Sequence, residues 1–244
     1  MKLQALLNYR IKYMTKTMLY YSFFFFGVTF IGMLVSLTSS DFSSGNQDIT
    51  ISTLCFLMFV AGAGYNSDFK TGIQFGTSRN NIFKSYILSN LIISVILALF
   101  SVLIQIVFKL IFGKIGLNFS MIIVDVYTQN ILLKLLITTL LYWLSSSFGN
   151  LFIGLYNSVS RKNKLVALGF LILLPILIIY LIVNLPSNFT SSIVNLLSNA
   201  IGYSNGEYNF IPLIITFTIL IILINIAIYL NISKKEIKSF LALD

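Results

Sequence analysis

The sequence predicts an all-α membrane protein with six transmembrane helices, an N-terminal amphipathic interfacial helix and both termini in the cytoplasm. First, 57% of the 244 residues are hydrophobic and only 9% are charged, with a mean hydropathy of +0.93. A soluble domain carries about 25% charged residues. Second, the apolar residues form runs of about 20 residues, enough to cross a hydrocarbon layer of about 30 Å as helices. We therefore expect a single transmembrane domain over residues 1–244.

The apolar runs predict the positions of the spans. They lie at about 17–37, 49–65, 85–112, 128–156, 165–184 and 209–231. The third and fourth runs are longer than a span needs, so we expect these helices to tilt or to project beyond the lipid. Pro175, in the middle of the fifth run, predicts a kink rather than a break.

The distribution of basic residues predicts the orientation. With six spans, the N-terminal segment, the loops 66–84 and 157–164 and the C-terminal tail share one side. That side holds all basic residues of the chain except Lys109, Lys114 and Lys134. Because basic loops stay in the cytoplasm, both termini are predicted to be inside. The net charge of +9 then reflects topology and contact with membrane lipid. No soluble basic face of the kind that binds nucleic acid is visible.

Residues 1–16 have the pattern of an amphipathic helix. At about 100° per residue, one arc collects the apolar side chains, namely Leu3, Leu6, Leu7, Ile11, Tyr13 and Met14. This predicts a helix that lies in the cytoplasmic interface and leads into the first span, with contact to a partner as the alternative. Arg10 falls inside the apolar arc, where it must either snorkel to water or face protein.

The predicted outer loop 185–208 contains a second amphipathic pattern. Between Pro186 and Gly202, apolar side chains recur at helical spacing, at Ile193, Val194, Leu197 and Ile201. This predicts a short helix that lies on the outer leaflet or re-enters it. The alternative is a solvent-exposed loop in which the spacing arises by chance.

The residue types needed for common enzyme chemistry are missing. The chain has no histidine and a single cysteine, so imidazole-based acid–base chemistry and cysteine–histidine metal clusters are excluded. A phosphate-binding loop needs glycines followed by Lys and Ser or Thr, and Gly113-Lys114-Ile115 lacks the hydroxyl residue. We expect no catalytic residue, metal or cofactor on this chain.

Uncharged polar residues inside the predicted spans are candidates for a translocation path. These candidates are Asn90, Gln105, Ser146, Asn150 and Asn225. The alternative is hydrogen bonding between helices, which stabilises a membrane protein by about 0.6 kcal/mol on average. We prefer that alternative for most of them.

The loop 66–84, on the predicted cytoplasmic side, has the pattern of a short helix. Asp68 is a plausible N-cap, and Phe69 and Ile73 lie four residues apart on one face. Gly76 is a candidate helix terminator, and Ser78 can cap the third span. A short helix with exposed apolar side chains suits docking into a groove of another protein. The alternative is that it lies on the inner membrane surface.

At these residues the sequence resembles the membrane subunits of ABC-2 type transporters. The likeness lies in Gly76-Thr77-Ser78-Arg79-Asn80-Asn81-Ile82-Phe83 and in the layout of the spans. It implies one half of a permease dimer, formed with a second permease copy and served by two copies of a separate ABC ATPase subunit that binds ATP and magnesium. The contact with the ATPase would be made by the coupling loop, through Asp68, Phe69, Lys70, Ile73, Gln74, Phe75 and Arg79.

The resemblance also implies a class of substrate. Small six-span members occur in Gram-positive bacteria, and the chain looks like the permeases that export amphipathic cytolytic peptides such as phenol-soluble modulins. This implies a multi-pass protein of the bacterial cell membrane that exports amphipathic or hydrophobic peptides. The alternatives are an immunity permease against a peptide antibiotic, a stand-alone channel or secondary carrier for a small solute, and a membrane enzyme or assembly factor.

Overall fold

The computed structural model describes residues 2–38, 46–112, 118–159, 187–204 and 206–234, with the single positions 163, 164, 166, 169, 173 and 180. The helices are α1 (Lys2–Thr38), α2 (Ile49–Gln74), α3 (Arg79–Phe112), α4 (Ile122–Asp125), α5 (Ile131–Ser158), α6 (Ser187–Ala200) and α7 (Phe210–Lys234). The strands are β1 (Asn46–Asp48), β2 (Asn118–Ser120), β3 (Tyr203–Ser204) and β4 (Glu207–Tyr208).

Four of these helices, α2, α3, α5 and α7, are long and apolar enough to cross a membrane. They correspond to the second, third, fourth and sixth predicted spans, and their length and composition are those of a membrane protein. The fifth predicted span, 165–184, lies outside the described residues except for single positions. The predicted total of six spans therefore stays a prediction.

Helix α1 is one continuous helix of 37 residues, about 55 Å long at a rise of about 1.5 Å per residue. It contains both the predicted interfacial helix 1–16 and the first predicted span, which therefore join without a break, and the interfacial position of residues 1–16 stays a prediction. Leu6, Arg10, Met14 and Met18 are buried at intervals of four residues. A stripe with this spacing stays on one side of a helix, and here that side packs against protein.

Helices α2, α5 and α7 run in one direction, and α1 and α3 run in the opposite direction. Ser145 of α5 donates a hydrogen bond to the carbonyl of Leu54, and Gly154 lies against Tyr65, so α2 and α5 run parallel. Tyr65 also donates to Asn231 of α7, which places the ends of α2 and α7 together.

Opposite ends of the helix bundle therefore carry different features. One end, the basic end, contains the start of α1, the turn between α2 and α3 and the ends of α5 and α7, with Lys2, Lys70, Arg79 and Lys234. The other end, the strand end, contains β1, β2 and the starts of α2 and α5. The assignment of the basic end to the cytoplasm stays a prediction.

Helices α2 and α5 make a very close contact through glycines. A Cβ atom on Gly149 would collide with the carbonyl oxygen of Met58, and one on Gly62 would lie 3.0 Å from the carbonyl oxygen of Gly149. Small residues let membrane helices approach this closely, so that backbones pack directly.

Buried apolar side chains form three clusters along the bundle. The cluster at the strand end includes Ile49, Val102, Met121, Ile137 and Leu213. The middle cluster includes Met14, Leu57, Ile93, Leu97 and Tyr142. The cluster at the basic end includes Leu6, Phe69, Ile82, Ile228 and Ile232. Each cluster draws on several helices, so the bundle has apolar packing over its whole length.

Two short strands, β1 and β2, connect separate segments of the chain at the strand end. Strand β1 pairs in parallel with β2, with Asp48 opposite Ser120. Asp48 also caps α2, because its carboxylate accepts hydrogen bonds from the backbone N–H groups of Thr50 and Ile51. The start of α2 is therefore tied to the segment that precedes α4.

The helix predicted between Pro186 and Gly202 is present as α6, Ser187–Ala200. It ends before Gly202, whose φ of +77° is favourable only for glycine. The β3–β4 hairpin then leads to α7. Val194, Leu197 and Ile201 are exposed, so α6 presents an apolar face away from the protein.

Candidate functional site

The turn between α2 and α3 has a fixed backbone. The N–H of Gly76 donates to the carbonyl of Ile73 at 2.8 Å, and that of Thr77 to the carbonyl of Gly72 at 2.9 Å. With Gly76 at a φ of +64°, these two bonds form a Schellman motif that ends α2. The N–H of Asn81 then donates to the hydroxyl of Ser78, which caps α3. The predicted helix end at Gly76 and cap at Ser78 are confirmed.

The expectation of a separate short helix beginning at Asp68 is wrong. Helix α2 runs without a break to Gln74, so Asp68 lies inside it and is not an N-cap. Asp68 and Phe69 are each only 3% exposed, and Phe69 packs in the basic-end cluster, with Ile73 half-buried against it. The apolar stripe of the span simply continues past residue 65, because neighbouring helices extend far enough to cover it.

The remaining predicted contact residues form an exposed surface, which we call the turn surface: Lys70, Gln74, Phe75 and Arg79. Phe75 is 70% exposed and occupies the C-cap position of α2. The Arg79 guanidinium donates to the carbonyl of Ser233, and the Lys2 ammonium donates to the carbonyl of Gly76 at 3.2 Å. Both ends of the described chain thus contact this turn.

A buried charge pair lies next to the turn. Nη1 of Arg10 is 3.0 Å from Oδ2 of Asp68, and both side chains are almost fully buried. The other terminal nitrogen of Arg10 donates to Oδ1 of Asn150 at 3.1 Å and to Oδ1 of Asn90 at 3.4 Å. The guanidinium also lies 4.0 Å from the ring centre of Tyr86, a favourable cation–π distance. We call these five residues the arginine cluster.

The arginine cluster connects all the long helices that the structure describes. Its members come from α1, α2, α3 and α5. Tyr86 donates to the carbonyl of Tyr65 at 2.7 Å, and Tyr65 donates to Asn231 of α7 at 2.9 Å. A buried charge is tolerated only when it is paired and hydrogen-bonded. In a membrane helix, such a residue is a candidate for a functional site.

The predicted path residues do not come together along one path in the described part of the chain. Asn90 and Asn150 belong to the arginine cluster. Gln105 donates to Asp125 at 2.8 Å near the strand end. Ser146 and Asn225 donate to carbonyls of their own helices, at Trp143 and Ile221. The contacts of Asn90, Asn150 and Gln105 join different helices, as the alternative expects, whereas those of Ser146 and Asn225 stay within one helix.

A second polar cluster closes the strand end. The Asp125 carboxylate accepts hydrogen bonds from Gln105 and from the backbone N–H of Met121, and it pairs with the Lys134 ammonium. Lys134 is buried, and its ammonium also donates to the side-chain oxygen of Gln129 at 3.4 Å. This cluster fixes the segment between α3 and α5.

In the ranges that the structure describes, no three His, Cys, Asp or Glu side chains lie close enough together to hold a metal ion. Comparisons of the chain with protein-family models, with curated proteins and with solved structures find no match. The candidate site therefore rests on the exposed turn surface and the buried arginine cluster beside it.

Proposed function

We propose that this chain is the permease subunit of an ATP-binding cassette exporter, and that a separate ATPase subunit docks on the turn surface. The observation that carries the proposal is Phe75, a large apolar side chain that is 70% exposed on a turn with a fixed backbone. An exposed aromatic anchor flanked by basic side chains is typical of a protein contact. Lys70 and Arg79 provide the basic flanks.

The contacts of the turn support a mechanical role. Asp68 lies seven residues before Phe75 in the same helix, about 10 Å away along its axis. Because Asp68 is bonded to Arg10, a displacement of the turn reaches α1 directly and reaches α3 and α5 through Asn90 and Asn150. In the proposed cycle, ATP and magnesium bind to the two ATPase subunits, whose closure pushes the turns of a permease dimer.

The substrate proposed is an amphipathic or hydrophobic peptide that is exported across the bacterial cell membrane. Helix α1 exposes three aromatic side chains in succession, Tyr20, Phe23 and Phe24, each more than 60% accessible. Such a surface suits the apolar face of a peptide that moves along the protein at the level of the lipid. The alternative is that these side chains contact only lipid, in which case they would be equally exposed.

A copurification experiment tests the docking proposal. A tagged chain is purified in mild detergent from cells of its source, and the ATPase activity that copurifies is measured. Phe75→Asp should abolish it. Leu132→Asp is the matched control, since Leu132 is an apolar residue that is 78% exposed near the strand end. The control should retain the activity.

Two results would contradict the proposal. One is that no ATPase copurifies with the wild-type chain. The other is peptide or solute transport that continues in vesicles depleted of ATP and follows an ion gradient, which would identify a secondary carrier.

A further inference from the structure

The exposed side of α1 near the basic end carries alternating lysine and tyrosine side chains. Tyr9, Lys12, Tyr13, Lys16 and Tyr20 are all exposed. At about 100° per residue, they fall within an arc of about 100° and span about 16 Å along the helix. We call this surface the lysine–tyrosine stripe. It faces away from the buried side that carries Arg10 and Met14.

The side of α1 that is left exposed is not the apolar side that its sequence predicts to face the membrane. The apolar side that would otherwise face lipid is covered by protein, because Leu6, Met14 and Met18 pack in the bundle clusters. The side left to face the surroundings is the one with the lysines. Its partner must therefore match positive charges and aromatic rings rather than a plain apolar surface.

The partner of the stripe must carry negative charge. The first acidic residue of the chain is Asp41, so no carboxylate on the N-terminal part of α1 neutralises Lys12 or Lys16. A second copy of this helix, packed stripe to stripe, would bring lysines against lysines. Further along α1, the apolar side chains of Phe23 and Phe24 are exposed. The stripe thus lies where an apolar helix surface changes into a charged one.

We propose that the lysine–tyrosine stripe binds the headgroups of anionic phospholipids in the leaflet at the basic end. Lys12 and Lys16 pair with the lipid phosphates, since basic side chains at a membrane surface attract anionic lipid. Tyr9 and Tyr13 sit at headgroup depth, where tyrosine is enriched because its ring is apolar and its hydroxyl is polar. This site is independent of the proposed ATPase contact, which uses the turn between α2 and α3.

Titration of the purified full-length chain with lipid tests the site. Binding of dioleoylphosphatidylglycerol and of dioleoylphosphatidylcholine is measured by native mass spectrometry in detergent. The double variant Lys12→Gln, Lys16→Gln should bind phosphatidylglycerol about 30-fold more weakly, about fivefold for each lysine. Phosphatidylcholine binding should not change. The single variants, each with a fivefold loss, keep the test valid should the double variant fail to fold.

The matched control is Lys109→Gln, Lys234→Gln, which removes the same total charge from exposed positions on α3 and α7. It should bind phosphatidylglycerol like the wild type, and Lys12→Arg, Lys16→Arg should do so too. An equal loss in the control, or wild-type binding of phosphatidylglycerol no tighter than of phosphatidylcholine, would overturn the proposal. So would unchanged lipid binding with a lower dimer fraction in the Lys12, Lys16 variant, which would make the stripe a protein interface.

Discussion

Arg10 in the first helix and Asp68 near the end of the second form a buried ion pair, with Nη1 3.0 Å from Oδ2. The two residues are 58 positions apart in the chain. They are the two oppositely charged members of the arginine cluster. Their pairing holds the basic end of α1 against α2. It also gives the candidate site its clearest energetic test.

Removing one partner should be far more harmful than removing both. Arg10→Met leaves the Asp68 carboxylate buried without its counter-charge, and loss of one partner of a buried pair costs about 3–5 kcal/mol. The double variant Arg10→Met, Asp68→Leu should recover most of that loss. Thermal unfolding in detergent measures both. A double variant no more stable than Arg10→Met would show that the ion pair is not the source of the loss.

The two phenylalanines near the turn should behave in opposite ways. Phe69→Ala removes a buried ring from the basic-end cluster and should destabilise the protein by about 3–5 kcal/mol. Phe75→Ala changes an exposed side chain and should alter the stability by no more than about 0.5 kcal/mol. Denaturant unfolding of the two variants in parallel checks this. Equal losses would contradict the burial of Phe69 and the exposure of Phe75.

The contact between α2 and α5 should tolerate no side chain at Gly149. Gly149→Ala places a Cβ against the backbone of Met58, so the helices must separate, at a cost of about 1–3 kcal/mol. Gly27→Ala is the control, because a Cβ there has no neighbour within 4 Å, and it should be neutral or slightly stabilising. The difference in melting temperature between the two variants is the measurement. A Gly149→Ala variant as stable as the control would contradict the close contact.

The turn itself should depend on the glycine at position 76. Its φ of +64° is left-handed, and a non-glycine residue in that conformation costs roughly 1–2 kcal/mol. Gly76→Ala should show this loss, whereas Gly76→Asn should lose less, because asparagine adopts the left-handed region more readily. Thermal unfolding of both variants decides the matter. Equal stability of wild type and Gly76→Ala would show that the turn adopts another conformation.

Cysteine labelling tests the predicted sidedness. In a Cys55→Ser background, Phe75→Cys and Leu132→Cys each place one thiol on an exposed position at opposite ends of the bundle. A membrane-impermeant maleimide added to intact cells should label position 132 and should reach position 75 only after the cells are opened. The reverse pattern would place the basic end outside the cell.

Much of the helical layout could be predicted from the sequence because apolar run length is a local property. The spans that became α2, α3, α5 and α7 follow directly from it, and so does the end of α2 at Gly76, since glycine is favoured there by its own backbone freedom. The helix between Pro186 and Gly202 could be predicted equally well, because proline and glycine mark helix boundaries in the sequence itself.

The arginine cluster could not be predicted in the same way. Its residues come from four helices, and contacts between them depend on how the helices pack. A partial signal existed in Arg10, which interrupts an apolar arc, and in Asp68, an acid next to a membrane span. The interpretation of Asp68 as an N-cap assigned its carboxylate to the start of a new helix and so did not predict its pairing with Arg10. In the structure the helix continues through Asp68, and the carboxylate pairs with Arg10.

The close glycine contact between α2 and α5 is a point about which α2 could tilt as a rigid helix. The midpoint between Met58 and Gly62 lies about 22 Å from Phe75 in one direction and about 18 Å from Asp48 in the other, at about 1.5 Å per residue. A rigid tilt of α2 about this point would move Asp48 in the direction opposite to Phe75, by roughly four-fifths of the distance that Phe75 moves. Because β1 is hydrogen-bonded to β2, the displacement of Asp48 would also move β2. A displacement at the basic end of the bundle would thus produce an opposite displacement at the strand end.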